Sequence, residues 1–381
     1  AVPDDIDGEV RGDPPSIGAD EYSAAPLQPL AGTYTIGGDP GDDFANPTEA
    51  VDAMSANGVG GAVVFQIDPG TYTGQLEIPA ISGTSATNTF TFESASGVAS
   101  DVILTFAATT AADNYVLRLR NAAHLRLRNL TVAATGTTYS RAIHGQNGLQ
   151  DLLIEGCRLT SSATSTNSFS AGIYLEPTLS ESVRIHDSYF SGGAYALYYS
   201  NGSGAVSGTE FTDNVVEDSY LGVYLDDLTD VLVTGNRITN PARANAQIAL
   251  YLNNCDAPAA SPSLVANNFL TATSGNRVLF AANSDNLRLY HNSLNQRGAG
   301  PALYLGSNPD VEVKNNILRA TTGYAADVTN NAGLDMNYND LYTTGTYLAR
   351  YSGAPLTDLA AWQSASGQGA NSLSFAPQYL S

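Results

Sequence analysis

Lysine is almost missing: Lys314 is the only one in 381 residues, and arginine supplies the other 15 basic groups. Against them stand 37 acidic residues, for a net charge of −21. Such a chain lacks the positive field that phosphate backbones require, so no nucleic-acid partner is expected. Docking on an anionic membrane is disfavoured for the same reason. Cysteine is scarce too. Cys157 and Cys255 cannot build a disulfide framework, and the repeat described below sets them at least three rungs apart, roughly 14 Å at about 4.8 Å per rung, too far to bridge. Both read as buried thiols. No apolar run approaches the length of a membrane-spanning helix, so no membrane insertion is expected. The opening Ala1-Val2-Pro3-Asp4-Asp5 is acidic where a signal peptide needs a basic region. Charged residues make up only 14% and apolar residues 43%, enough to fill a large core and to exclude wholesale disorder. An acidic excess with one lysine suits a secreted protein in salty water, where self-repulsion is screened.

What the chain has in quantity is a repeat. Short alternating segments begin at Leu125, Leu152, Val183, Thr209, Val231, Ser263, Leu287, Val311 and Leu334, at steps of 27, 31, 26, 22, 32, 24, 24 and 23 residues. A fixed offset after each segment carries Leu130, Cys157, Ser188, Asn214, Asn236, Asn268, Asn292, Asn316 and Asn339, and an apolar residue follows two positions later. Steps of 22–32 residues without a helical pattern fit the coils of an all-β, right-handed parallel β-helix with three short strands per coil. Alternation turns Leu125 and Leu127 inward and Arg126 outward. The six asparagines, Asn214, Asn236, Asn268, Asn292, Asn316 and Asn339, are expected to stack inside one turn as an amide ladder that satisfies buried polar groups and fixes register.

A second strand in each coil puts an aromatic between inward aliphatics: Tyr174, Tyr198, Tyr224, Tyr251, Phe280 and Tyr304, spaced 24, 26, 27, 29 and 24 residues apart. These side chains point outward together. Two residues beyond the first four rings stand Glu176, Ser200, Asp226 and Asn253, a polar strip on the same face. Ring faces beside hydroxyl-binding groups suit sugars, so Tyr174, Tyr198, Tyr224, Tyr251, Phe280, Tyr304 and Asn253 form a candidate glycan-binding face. A simpler account is that tyrosine covers the coil because it favours strands.

A helix start is written at Asn46-Pro47-Thr48-Glu49, with the Asn as N-cap, Pro at the first position and Glu three after the cap. Ala50, Val51 and Met54 give it an apolar stripe, and Gly58 a stop. It is expected to cap the open end of the solenoid. The organisation read from these signals is a linker at 23–31, an N-terminal cap at 32–60, the β-helix at 61–350 and a C-terminal segment of the solenoid at 351–381.

The chain resembles the right-handed parallel β-helix repeat proteins of secreted bacterial multidomain chains, which share the pectate-lyase-like solenoid. Gly32-Thr33-Tyr34-Thr35-Ile36-Gly37-Gly38 with Pro69-Gly70-Thr71-Tyr72 looks like the opening of such a unit. Trp362, Gly367, Ser372 and Phe375-Ala376-Pro377 look like its penultimate segment. Asp5-Ile6-Asp7-Gly8-Glu9-Val10-Arg11 with Ile17-Gly18-Ala19-Asp20-Glu21-Tyr22 resembles the closing signature, yet stands first. Residues 1–22 are therefore read either as the tail of a preceding unit in a tandem array or as a segment that completes the C-terminal end of a neighbouring copy, which would propagate head to tail. The resemblance implies an extracellular or cell-surface location.

Fold alone does not establish chemistry. Asp226, Asp227 and Asp230 are a candidate Ca²⁺ site, since Ca²⁺ takes oxygen ligands; Asp39, Asp42 and Asp43, and Asp4, Asp5 and Asp7, are weaker ones. No other cofactor is implied. Glu176 and Asp226 would lie two coils apart, roughly 9–10 Å, near the upper limit for an inverting glycosidase pair. The expectation is a non-catalytic structural, adhesive or glycan-binding module. The alternative is a polysaccharide lyase or glycoside hydrolase using the Tyr-lined face, with Glu176 and Asp226 as its catalytic carboxylates. Arg126 and Arg184 are expected to cover the solenoid with their stems. His124, His144, His186 and His291 share no metal spacing.

Overall fold

The computed structural model describes residues 28–176, 180–202 and 206–377. Short strands come in sets of three, one set per coil, and each strand pairs in parallel with its equivalent in the next coil. Three sheets therefore run the length of the molecule. Among the described residues two have 12 strands and the third 11, which makes about a dozen coils. The protein is an all-β right-handed parallel β-helix with two short helices. Within a coil the chain passes through the aromatic sheet (Ser170–Leu175, Tyr195–Ser200, Leu221–Asp226, Ile248–Asn253), then a second sheet (Leu232–Thr234, Ser263–Ala266), then a third (Arg237–Thr239, Phe269–Ala272) before rising one rung.

Alternation in these short strands sends every second side chain into the cylinder. Leu127, Ile154, Ile185, Phe211, Val233 and Val265 follow one another rung by rung in the second sheet, all buried. Each contributes about 1.5–3 kcal/mol through burial, so the core is a stack of similar layers rather than one globule. Close approach sets the small residues. Gly172 lies where a Cβ would meet the Phe190 ring at 2.7 Å and the Ala196 carbonyl at 2.7 Å.

The corner between the second and third sheets explains the repeat's polar position. The residue before it takes a left-handed conformation in every coil from Asn129 to Tyr338, with φ between 48° and 71°. Asn, Asp and Gly dominate there because they tolerate that region. The chain turns sharply, and the next side chain points inward. Each of the six asparagines uses its amide in both directions. Asn268 Oδ1 accepts from the Asn236 backbone N–H (3.0 Å) and Nδ2 (2.9 Å), and Asn268 Nδ2 donates to the Val233 carbonyl (2.9 Å) and Asn292 Oδ1 (2.9 Å). The same bonds recur from Asn214 to Asn339, extend upward to Ser188, and end on Ser372 Oγ, which accepts from the Asn339 N–H at 3.1 Å. A second polar column, not anticipated, fills the corner between the aromatic and second sheets. Ser284 Oγ accepts from the Cys255 N–H, Asn308 Oδ1 from the Ser284 N–H, and Asn331 Oδ1 from the Asn308 N–H.

The helix α1 (Pro47–Asn57) begins as its sequence announces: Asn46 Oδ1 accepts from the Thr48 and Glu49 N–H groups, and Ala50, Val51 and Met54 are buried. The solenoid, however, starts earlier than 61. Strand Leu30–Ile36 already pairs with Val59–Ile67 in the second sheet, so α1 is an excursion between two rungs. At the other end residues 351–377 do more than continue the coil. Ala354–Leu356 turns back antiparallel on Ala349–Tyr351, and α2 (Leu359–Ser366) closes the core with a fully buried Trp362, edge-on to Tyr351 at 5.7 Å. Gln368 Oε1 accepts from the Met336 N–H of the last coil (2.8 Å). Residues 1–22, with their acidic cluster and closing signature, lie outside the described residues.

Both cysteines are buried free thiols in different corners, and burial pushes their ionisation up to about 12. Arg126 and Arg184 do more than lend their stems: both pair with Asp151, which His124 also contacts at 2.8 Å.

Candidate functional site: the aromatic sheet

Register alone lines up one outward column: Glu77, Arg118, His144, Tyr174, Tyr198, Tyr224, Tyr251, Phe280, Tyr304, Asp327 and Arg350. The six aromatics are stacked nearly parallel. Centroid distances are 4.7, 4.9, 4.4, 4.5 and 5.1 Å, with interplanar angles of 3–11°. Five rungs of about 4.8 Å carry the stack over roughly 24 Å. This arrangement corrects one expectation. The ring faces are taken up by one another, so the surface offers ring edges and phenol groups, not faces for sugars to lie on.

The phenols reach along their strands toward the polar strip. A Cβ at Gly306, two residues after Tyr304, would sit 2.8 Å from the Tyr304 hydroxyl, so glycine leaves room for it. In the strip, register aligns Ser200 with Asp226 and Asp226 with Asn253. Asp226 accepts from Asn253 Nδ2 (2.8 Å), Asn254 Nδ2 (3.3 Å) and Ser200 Oγ (3.3 Å). Desolvation first, then the neighbouring phenol of Tyr174, raises the pKa of Tyr198. Burial and then the Asp226 carboxylate do the same for Tyr224. These phenols stay protonated and neutral over the ordinary pH range.

Charged groups close both ends of the stack. At the C-terminal end Asp327, itself buried, pairs with Arg350, and the Arg277 guanidinium lies 4.4 Å from the Tyr304 centroid. At the N-terminal end the buried Arg141 guanidinium sits 3.5 Å over Tyr174, and His144 meets that ring edge-on at 5.7 Å. His144 Nε2 lies 3.0 Å from Glu176 Oε1 and 3.3 Å from an Arg141 nitrogen, while its Nδ1 is buried without a partner. Desolvation, then the Arg141 charge, lowers the His144 pKa to about 4. The sign follows directly. The unfolded chain binds a proton near pH 6.5 and the folded chain does not, so stability falls as pH drops from about 6.5 through about 4. His144→Phe, which extends the ring stack, is expected to flatten that decline by on the order of 2 kcal/mol. Melting curves at pH 7 and pH 4.5 for both proteins check it.

The entry edge of the sheet is bounded by residues 161–169 and 240–247, and a buried arginine ties them together. Arg243 donates to the carbonyls of Ala163 (3.1 Å), Ser165 (2.6 Å), Gly193 (3.0 Å) and Asp218 (3.1 Å), bridging residues up to 80 positions apart. Arg141 holds the same bank through the Ser168 carbonyl at 3.0 Å. Sequence reasoning missed Arg141, His144, Arg243 and Arg277. His144 was within reach, since it stands 30 residues before Tyr174 at the same offset. Arg243 carries no periodic signal.

The proposed ion and acid sites fare differently. Asp227 and Asp230 are left-handed turn residues, with φ of 58° and 54°. Among the described residues no group of three His, Cys, Asp or Glu side chains is gathered to hold a metal, so the Ca²⁺ reading of Asp226, Asp227 and Asp230 gains no support. Asp42 and Asp43 accept from the Asp39 and Thr35 N–H groups, and so brace their own turn. Glu176 and Asp226 stand on the same strip two rungs apart. Glu176 accepts from Gln146 Nε2 at 2.7 Å.

Residues 204–354 match the family model described as "Right handed beta helix region". No curated protein matches the chain significantly in sequence. Among solved structures the chain is similar to the Dettilon tailspike protein, with a TM-score of 0.50 and 12% identity, over 86% of this chain and 64% of that one. It thus spans less than two thirds of the tailspike's length. It is also similar to the A-module of a mannuronan C-5 epimerase from Azotobacter vinelandii (TM-score 0.45, 14% identity, 87% of this chain and 94% of that one). A GH136 lacto-N-biosidase from Eubacterium ramulus gives a TM-score of 0.45 at 10% identity, over 90% and 68% of the two chains. At these identities the likeness speaks of fold alone. No helix of the described residues is long and apolar enough to cross a membrane.

Proposed function

We propose that this right-handed β-helix is an extracellular, non-catalytic module that binds a polysaccharide or cell-surface glycan along its aromatic sheet. One observation carries the reading: six rings stacked at 4.4–5.1 Å, exposing edges and phenols, beside a parallel strip containing Glu176, Ser200, Asp226 and Asn253. Covering the coil explains each tyrosine singly. It does not explain six in unbroken register with polar partners at every early rung. A periodic surface is matched best by a periodic ligand, and a glycan chain laid along the axis would meet the same phenol and polar group rung after rung. The bank held by Arg243 and Arg141 borders this face along its entry edge.

The enzymatic alternative rests on Glu176 and Asp226. Three amide or hydroxyl donors hold Asp226 and two side chains hold Glu176, which suits scaffold and ligand contact better than proton transfer. The test is retention on a polysaccharide panel with simultaneous assay of reducing ends and unsaturated products. We expect retention without products. Tyr224→Ala, which removes the ring stacked on both Tyr198 and Tyr251, should weaken retention about tenfold in a protein that remains folded at the assay temperature. Product formation abolished by Glu176→Ala or Asp226→Ala would establish the enzyme instead. Self-association through residues 1–22 is a separate proposal. Deleting 1–22 should leave a monodisperse monomer by light scattering, and assemblies that survive the deletion rule it out.

A further inference from the structure

We propose that the aromatic face favours a glycan bearing primary amines, with Asp226 as the counter-charge of its ammonium group. This rests on the aromatic sheet being the binding face and adds the class of ligand. Asp226 sits at the middle of the ring stack, and every group bonded to it is neutral: Ser200, Asn253 and Asn254. Among the described residues no arginine, lysine or histidine forms an ion pair with it. The nearby cations are engaged elsewhere. Arg141 lies on Tyr174 and holds the Ser168 carbonyl, Arg277 lies against Tyr304 and Asn276, and Arg350 pairs with Asp327.

The central rungs thus present a carboxylate, amide oxygens and phenol oxygens, all acceptors for N–H, while Arg141 and Arg277 sit against the end rings Tyr174 and Tyr304 and not beside Asp226. The phenols beside Asp226 stay neutral and can accept, since burial and that carboxylate oppose their ionisation. An ammonium at this partly buried place gains a charge-assisted hydrogen bond. A uronate meets a carboxylate, inside a protein of net charge −21. N-acetylation of the ligand removes the charge and keeps the sugar.

The experiment compares three oligosaccharides of equal length by calorimetric titration at pH 6: glucosamine, N-acetylglucosamine and galacturonate oligomers, with EDTA present. The expected order places glucosamine about tenfold tighter than its acetylated form, the difference shrinking with added salt, and galacturonate weakest. Asp226→Asn, which keeps the size and hydrogen-bonding shape, should collapse the preference toward equality. Equal affinities for the amine and its acetyl derivative overturn the inference, as does an unchanged preference in Asp226→Asn. In either case Tyr224-dependent binding of any oligomer would leave the aromatic face standing as the binding site. No binding of any glycan, charged or neutral, would defeat both.

Discussion

Replacing Asn268 with alanine lowers the midpoint of urea unfolding by the equivalent of about 3 kcal/mol. Four bonds meet at this amide, and all are buried. Removing it strands the Asn236 backbone N–H and the Val233 carbonyl where water cannot reach them. Each orphaned group costs about 1–3 kcal/mol, and the small cavity adds to that. Asn339, which ends the column on Ser372 Oγ, has one asparagine neighbour rather than two. Asn339→Ala is therefore expected to cost less than Asn268→Ala. Equal losses would mean that the amides act singly and that the column is not cooperative.

Trp362→Ala is the second large effect. This side chain is fully buried at the C-terminal end, edge-on to Tyr351, with α2 laid across the last coil. Large-to-small changes of this size cost about 3–5 kcal/mol. Here the loss also uncovers the end of the stacked core, and in a repeat protein end caps hold the terminal units together. The expected result is a lower melting temperature with earlier exchange of amide hydrogens in Asp335–Asn337 and Asp340–Thr343 than in the central coils. Light scattering should detect association of the variant, since open strand edges pair with other chains. Uniform loosening of every coil would contradict the capping role.

The periodic parts of this protein were legible because period and direction are linked in a solenoid. Once a coil of 22–32 residues is found, equal offsets become vertical neighbours, and the stacks at Tyr174–Tyr304 and Asn214–Asn339 follow from spacing alone. What spacing cannot reveal is how side chains lean. Outward tyrosines could have presented their faces. They stack instead, because a rung separation of about 4.8 Å suits parallel rings. The second polar column was missed because its upper members are Cys255 and Ser284, and only Asn308 and Asn331 resemble a ladder. Asp227 and Asp230 carry carboxylates that suit both cations and left-handed turns, and their φ values show the turn. Arg243 lay beyond reach, since its four carbonyl partners come from three coils that only the folded chain brings together. Helix α2 was hidden by its length, eight residues with one large apolar side chain.

Oxidative footprinting with a bound glycan tests the central claim most directly. Hydroxyl radicals label exposed rings, and the protein carries tyrosines on several faces, including the exposed Tyr338 at a corner and Tyr347 near the last coil. Saturating a ligand taken from the panel should protect Tyr198, Tyr224, Tyr251 and Phe280 together and leave Tyr338 labelled as before. Protection confined to other rings, with the central stack labelled equally in the free and bound states, would place the ligand elsewhere and contradict the account.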